Sequence, residues 1–248
     1  MHNRLFLNYI KKDPNSVQEA DLKRYLGHLL TDKKHKPASV SLALSSLRFF
    51  YKEILKKPIV EDINTPKKEK KIPVVLTKEE IKRLIDAAKN PKHKLLIELM
   101  YSSGLRVSEV VSIKMDDFDL NDKTGTIRSG KGKKDRNIIL SNNFIMHLQQ
   151  YLKRRDDQNP YLFHIKERHI TTRQAQKIVV GSASKAGIKK RVFCHALRSS
   201  FATHLLESGT DIRLIQELLG HSNLATTERY TRVSKEQIKK VKNPFDDI

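Results

Sequence analysis

Gly125-Thr-Ile-Arg-Ser-Gly-Lys-Gly-Lys-Lys-Asp-Arg136, GTIRSGKGKKDR, is the stretch on which the fold of the larger half of the chain turns. Gly125, four residues, then Gly130 and Lys131 satisfy most of the phosphate-loop pattern G-x-x-x-x-G-K-[ST], but Gly132 stands where a hydroxyl would help hold Mg²⁺. A phosphate loop runs straight from a strand into a helix. Here Asp135-Arg136 leads into the apolar run Ile138-Ile139-Leu140. Segments 124–128 and 137–140 read as two strands, so SGKGKKDR is the expected turn of a β-hairpin.

Outward from the hairpin the pattern is helical. Thr77-Lys-Glu-Glu80 is a capping box leading a helix with Ile81, Leu84 and Ile85. An apolar helix, Leu95–Tyr101, stops near Gly104, and a short helix contains Arg106 to Ile113. Helices are expected near 141–155, 171–186, 195–208, 211–219 and 224–231, with Gly209 and Gly220 at helix C-termini. Between Lys56 and Leu76, Pro58, Pro66 and Pro73 bracket PKKEKKIP, a stiff charged linker. Before it, Ser16-Val-Gln-Glu19 reads as a capping box ahead of Leu22, Tyr25, Leu26, Leu29 and Leu30. Pro37 introduces a helix with Val40, Leu44, Leu47, Tyr51, Ile54 and Leu55 on one side. Its other face carries Ser45, Arg48 and Lys52, which suits a DNA backbone or an ordinary solvated surface. The expectation is an α+β protein, mainly α with a small antiparallel sheet: a helical domain at 1–63, a linker at 64–75 and a second domain at 76–248.

Charge narrows the class of partner. Against 28 Asp and Glu stand 49 Lys and Arg, a formal charge of +21 on 248 residues. Such an excess opposes compaction unless an anionic partner is the normal state. Nucleic acid is the leading candidate, since each neutralised phosphate releases counterions. No run of about 18 apolar residues suggests a membrane span, and MHNRLFLNYIKK lacks the apolar core of a signal peptide. One cysteine, Cys194, allows no internal disulfide and no cysteine metal cluster. A soluble, cytoplasmic, nucleoid-associated protein with no membrane partner is expected.

Several residues could carry chemistry. Arg106 and Glu109 lie one helical step apart in GLRVSE, as a surface pair would. His195 and Arg198 share a helix face, and Arg198 borders the apolar stripe Leu197, Phe201 and Leu205. An arginine there is costly without an anion, and a phosphate matches its planar fork. His221 follows Gly220 just past a helix end, and Tyr230 stands in TTERYTRV. Taken singly, a capping histidine and a packing tyrosine explain these. Together, two arginines, a lysine on a turn, two histidines and a tyrosine make up a set for metal-free phosphoryl transfer. No H-E-x-x-H spacing or acidic cluster for paired Mg²⁺ is evident, so neither metal nor cofactor is expected.

GLRVSE, SGKGKKDR, HALRSSFATHLLESG and LGHSNLATTERYTRV, in this order, resemble the tyrosine recombinase (phage integrase) family, its Xer-type members above all. The resemblance covers about Leu76 to Val233. More weakly, residues 1–56 look like that family's core-binding domain, giving a two-domain DNA clamp. By this resemblance Arg106 and Arg198 bind the scissile phosphate, and Lys131 is the general acid for the 5′-hydroxyl. His195 and His221 assist proton transfer, Tyr230 is the nucleophile and Glu109 supports the first arginine. Lys133, Lys134 and Arg136 join Arg48 and Lys52 as DNA contacts. A 3′-phosphotyrosine link then stores the bond energy, and strand exchange through a Holliday junction follows in a homotetramer on two duplexes.

The match has departures. Cys194 and Ser199 occupy places where the family usually has Pro and His, and the hairpin offers Lys133 and Lys134 as rivals for the acid role. The first helix of the N-terminal domain looks clipped. The tail VSKEQIKKVKNPFDDI reads as a basic helix that could dock on a neighbouring protomer or fold on its own domain. A type IB topoisomerase and a non-catalytic architectural DNA-binding protein are the competing readings.

Overall fold

The computed structural model describes residues 1–61, 63–64, 73–128 and 135–220. The chain divides into two compact units between Lys71 and Ile72.

The first unit is helical: α1 (His2–Ile10), α2 (Glu19–Thr31) and α3 (Pro37–Arg48), the last continuing into a π-helical segment, Phe49–Ile54. Pro37 opens α3 because a first-turn N–H has no helical acceptor to lose. Phe6, Leu22, Val40, Leu44, Leu47 and Tyr51 are fully buried, and Phe6 meets Tyr25 edge-on at 5.2 Å between ring centroids. The capping box at Ser16 is corrected. Ser16 Oγ donates to the Asp13 carbonyl (2.9 Å) in a short 3₁₀ turn, and α2 starts at Glu19. There the Asp21 carboxylate accepts the Gln18 N–H (3.1 Å), while Lys12 Nζ lies 2.9 Å from both its oxygens.

Arg48, expected as a DNA contact, is half-buried. Its guanidinium turns inward, donating from Nε to the Val60 carbonyl (3.3 Å) and from Nη2 to that of Ile63, which ties down the chain after the π-helical segment. Lys52 is exposed and pairs with the exposed Glu61 at 3.4 Å, an ion pair of small net worth that a phosphate could replace.

In the second unit the core is built around α5 (Pro91–Ser102), whose Leu95, Leu96, Ile97, Leu99 and Met100 are all essentially inaccessible. A helix apolar on every side must be covered on every side. Around it lie α4 (Lys78–Asp86), α6 (Val107–Ser112), α7 (Asn142–Leu152), α8 (Thr172–Lys185) and α9 (Cys194–Glu207). α4 starts at the expected capping box: Thr77 N–H to Glu80 Oε2 is 2.8 Å and Glu80 N–H to Thr77 Oγ1 is 3.2 Å. From Ala196 to Thr203 α9 is buried without interruption, and its small residues and serines let it fit there. Ser200 Oγ accepts the Leu76 N–H and donates to Ala196 O, both at 2.8 Å, pinning the incoming chain to α9.

The hairpin strands are β2 (Thr124–Ile127) and β3 (Arg136–Ile139), paired antiparallel with Thr124 opposite Ile139 and Ile127 opposite Arg136. A third strand, β1 (Phe118–Asp119), pairs with β2, and a second small hairpin joins β4 (His164–Ile165) to β5 (Arg168–His169). At two residues each, β1, β4 and β5 are too short to show period-2 alternation, so the sequence pattern misses them. The final described helix, α10 (Ile212–Leu219), is capped by Asp211 and ends at Gly220 in the left-handed region. The expected helix near 224–231, the C-terminal tail and most of the linker lie outside the described residues.

Candidate active site

Five of the expected site residues, Arg106, Glu109, Arg136, His195 and Arg198, lie in the described part of the second unit. Lys131, Lys133, Lys134, His221 and Tyr230 lie outside the described residues.

Arg106 precedes α6 as its N-cap residue, and Glu109 sits at the third position of that helix. Glu109 Oε2 accepts the Arg106 backbone N–H, and Oε1 accepts Arg106 Nη1, both at 2.8 Å. The carboxylate thus caps the helix and orients the guanidinium in one stroke. Arg136, at the foot of β3, approaches the same carboxylate as a fork: Nη1 to Oε1 is 2.9 Å and Nη2 to Oε2 is 2.7 Å. Burial alone would push the Glu109 carboxyl up. The Arg136 hydrogen bonds, the Arg106 N–H, the charge of Arg136 and the Arg106 side-chain hydrogen bond outweigh it and hold the group at about 2.

Arg198 lies on the second turn of α9, one turn beyond His195, as the spacing requires. The sequence places it at the core margin awaiting an anion; the structure instead buries it to 1 % exposure. Its Nη1 donates to Gly104 O at 2.8 Å and its Nη2 to Leu219 O at 2.5 Å. These two carbonyls, one just past α5 and the other at the end of α10, fix the plane of its guanidinium. His195 is exposed on the first turn of α9, its ring stacked on Phe193 at 6.5 Å and 15°. Cys194 and Ser199, the two departures from the motif, are both buried, and among the described residues the Ser199 hydroxyl has no hydrogen-bond partner.

The end of α10 is where these side chains converge. Arg136 Nε donates to Leu218 O (3.0 Å), Arg198 Nη2 to Leu219 O and Arg106 Nη2 to Gly220 O (3.0 Å), so three arginines hold three successive carbonyls. Gly104 makes the approach possible. With φ of 60°, a Cβ there would lie 2.8 Å from Phe201 Cε1 and 2.9 Å from Leu219 Cδ2, and closer still to Phe201 Cδ1. Arg136 was expected at the DNA surface; in the structure its side chain is 8 % exposed and all three of its nitrogens are engaged within the protein. Sequence reasoning could not assign this partnership, because 27 residues separate Arg136 from Glu109 and no periodicity spans a hairpin.

Among the described residues no group of three or more His, Cys, Asp or Glu side chains is placed to hold a metal ion, and no helix is long and apolar enough to cross a membrane. A cluster of arginines around one carboxylate, at the open end of a helix, is equipped to hold an oxyanion.

The fold and this arginine cluster define a phosphoryl-transfer protein of the phage integrase type. The phage integrase family pattern matches residues 74–237, and that of the phage integrase N-terminal SAM-like domain matches residues 4–61. The chain belongs to the phage integrase family and is an enzyme of the tyrosine recombinase class. It is 38 % identical over 240 residues to tyrosine recombinase XerA of Pyrococcus furiosus, covering 94 % of this chain and 83 % of the relative. Tyrosine recombinase XerD of Oceanobacillus iheyensis is 34 % identical over 257 residues, covering 94 % and 86 %. Among solved structures, that of XerH site-specific recombinase bound to palindromic difH substrate, a post-cleavage complex, aligns with a TM-score of 0.79 at 25 % identity over 95 % of this chain and 75 % of that one. The crystal structure of XerA recombinase aligns at 0.63 and 34 % identity, over 96 % and 87 %.

Proposed function

We propose that the chain cleaves and rejoins duplex DNA at a specific site through a 3′-phosphotyrosine intermediate. The observation that carries this is the convergence of Arg106 and Arg198, from stretches far apart in sequence, on the carbonyls of Leu219 and Gly220. The stretch HSNLATTERY, with His221 and Tyr230, follows directly.

In this reading Arg106 and Arg198 hold the non-bridging oxygens of the scissile phosphate and offset the charge that grows on pentacoordinate phosphorus. The Tyr230 phenol loses its proton to a neighbouring imidazole, His195 or His221, and its oxygen attacks phosphorus. The bond to the 5′-oxygen breaks, and Lys131 protonates that oxygen as it leaves. One phosphodiester is exchanged for another, so the link can be reversed by a second strand's 5′-hydroxyl without an energy source. Glu109 keeps Arg106 in place throughout.

The partner is a duplex recombination site, in keeping with the DNA-bound XerH structure, and Lys52, Lys133 and Lys134 supply backbone contacts. Residues 64–75 link the helical domain to the catalytic one, and a homotetramer assembles on two duplexes within the nucleoid.

Covalent trapping tests the reading. Wild type and Tyr230→Phe are incubated in EDTA with nicked duplexes made from the source genome, and detergent-resistant adducts are measured. Adducts from wild type alone are expected, and sequencing the trapped DNA then gives the site. Adducts from both proteins would move the nucleophile elsewhere. None from either, with binding intact, would favour an architectural role.

A further inference from the structure

We propose that Arg136 is a positioning residue of the cleavage site: it locks Arg106 through Glu109 and locks the end of α10 through the Leu218 carbonyl. The inference rests on the assignment of Arg106 to the scissile phosphate.

Every nitrogen of the Arg136 guanidinium is engaged, Nε at 3.0 Å from Leu218 O and the two terminal nitrogens at 2.9 and 2.7 Å from the Glu109 oxygens. Only an arginine offers three donor nitrogens in one rigid plane. A lysine could satisfy the carboxylate or the carbonyl, but not both in this geometry. The side chain is 8 % exposed, whereas Arg106 is 41 % exposed. The two arginines on Glu109 therefore divide the work, one open to a ligand and the other closed within the fold.

The closed arginine decides where the open one stands. Glu109 accepts Arg106 through both oxygens, and Gly220 O accepts Arg106 Nη2 from the other side at 3.0 Å. Both supports also meet Arg136. One is Glu109 itself. The other is the last turn of α10, where a Cβ on Gly220 would lie 2.9 Å from Arg136 Cδ, so the two residues fit only because Gly220 has no side chain. Without Arg136, Glu109 loses two of its four hydrogen bonds and α10 loses one of its three cationic caps.

The position in sequence adds a reason. Lys131 lies five residues before Arg136 on the same hairpin, and His221 is the residue after Gly220. One side chain thereby joins GLRVSE, the hairpin base and the LGH stretch, the origins of three groups assigned to the reaction.

The test uses full-length wild type, Arg136→Gln and Arg136→Lys with the pool of nicked genomic duplexes. Binding to the pool, the rate of adduct formation from pH 5 to 8, and amide hydrogen exchange in the last turn of α10 are measured. Both variants should bind the pool as wild type does. Arg136→Gln should form adducts about 100-fold more slowly, the effect of a misplacement of about 1 Å, with Arg136→Lys between the two. The charged groups on Glu109 are Arg106 and Arg136. With Arg136 gone, the Glu109 carboxyl should protonate at higher pH than in wild type, so the variant's rate should fall further towards pH 5 than that of wild type. Exchange at the end of α10 should quicken. Adducts at the wild-type rate from Arg136→Lys would overturn the proposal, and so would equal losses of binding and cleavage, which would make Arg136 a DNA contact. Unchanged exchange would overturn it even if wild type formed no adduct, an outcome that refutes the cleavage reading separately.

Discussion

Replacing Gly104 by alanine probes how tightly the site is packed, because a matched control isolates the steric part. Gly104 and Gly187 both lie in the left-handed region, at φ of 60° and 64°. An added Cβ at Gly187 has nothing within 4 Å, whereas at Gly104 it meets the Phe201 ring and, at 2.9 Å, Leu219 Cδ2. Gly187→Ala should therefore cost only the left-handed backbone penalty, about 1–2 kcal/mol. Gly104→Ala adds overpacking of about 1–3 kcal/mol, since Phe201 and Leu219 are buried and have no open side to retreat to. The gain from a stiffer unfolded chain is common to both and cancels in the difference. At about 2–4 °C per kcal/mol for a chain of this size, the melting temperature should fall about 2–8 °C for Gly187→Ala and about 4–20 °C for Gly104→Ala. Gly104→Ala should also slow adduct formation, because the Gly104 carbonyl holds Arg198 at 2.8 Å. Scanning calorimetry and covalent trapping read the two effects. Equal melting temperatures for the two variants, with equal adduct rates, would refute the claim that Gly104 is where the chain makes room for Phe201 and Leu219.

Two further outcomes are expected. Glu109, held at about 2 against an ordinary 4.5, contributes about 3 kcal/mol of stability that is fully present above pH 4.5 and lost as pH falls towards 2. Urea unfolding should show Glu109→Gln less stable than wild type by about 3 kcal/mol at pH 7 but only about 1 kcal/mol at pH 3; a gap independent of pH would place the interaction elsewhere. Burial pushes the Cys194 thiol up to about 11, so a thiol-specific chromogenic disulfide at pH 8 should label the native protein slowly and the guanidinium-unfolded protein at once. Rapid native labelling would mean that the start of α9 opens readily.

The relation of sequence to structure is clearest at the hairpin. Gly130 and Lys131 imitate a phosphate loop, but the apolar run after Arg136 excludes a following helix, and β2 and β3 pair as that run requires. Local signals of this kind, such as the Thr77–Glu80 capping box, Pro37 at a helix start and Gly220 at a helix end, depend on neighbours within a few residues and are legible directly. The one at Ser16 misled because the box forms two residues on, where Asp21 accepts the Gln18 N–H, while Ser16 closes a 3₁₀ turn on Asp13 O.

The sequence by itself determined the helical class, the hairpin, the basic character and the spacing that puts His195 one turn from Arg198. It pointed to Glu109 as the partner of Arg106 but not to the partners of Arg48, Arg136 and Arg198. Arg48, Arg106, Arg136 and Arg198 look alike in a string of letters, yet three of them turn inward to carbonyls or to Glu109, and Arg106 is left the most exposed of those around Glu109. The physical reason is that a guanidinium finds its acceptors through space: the Leu218, Leu219 and Gly220 carbonyls become a binding surface only when α10 ends beside β3, α6 and α9, and the packing of α5 and α9 brings that about.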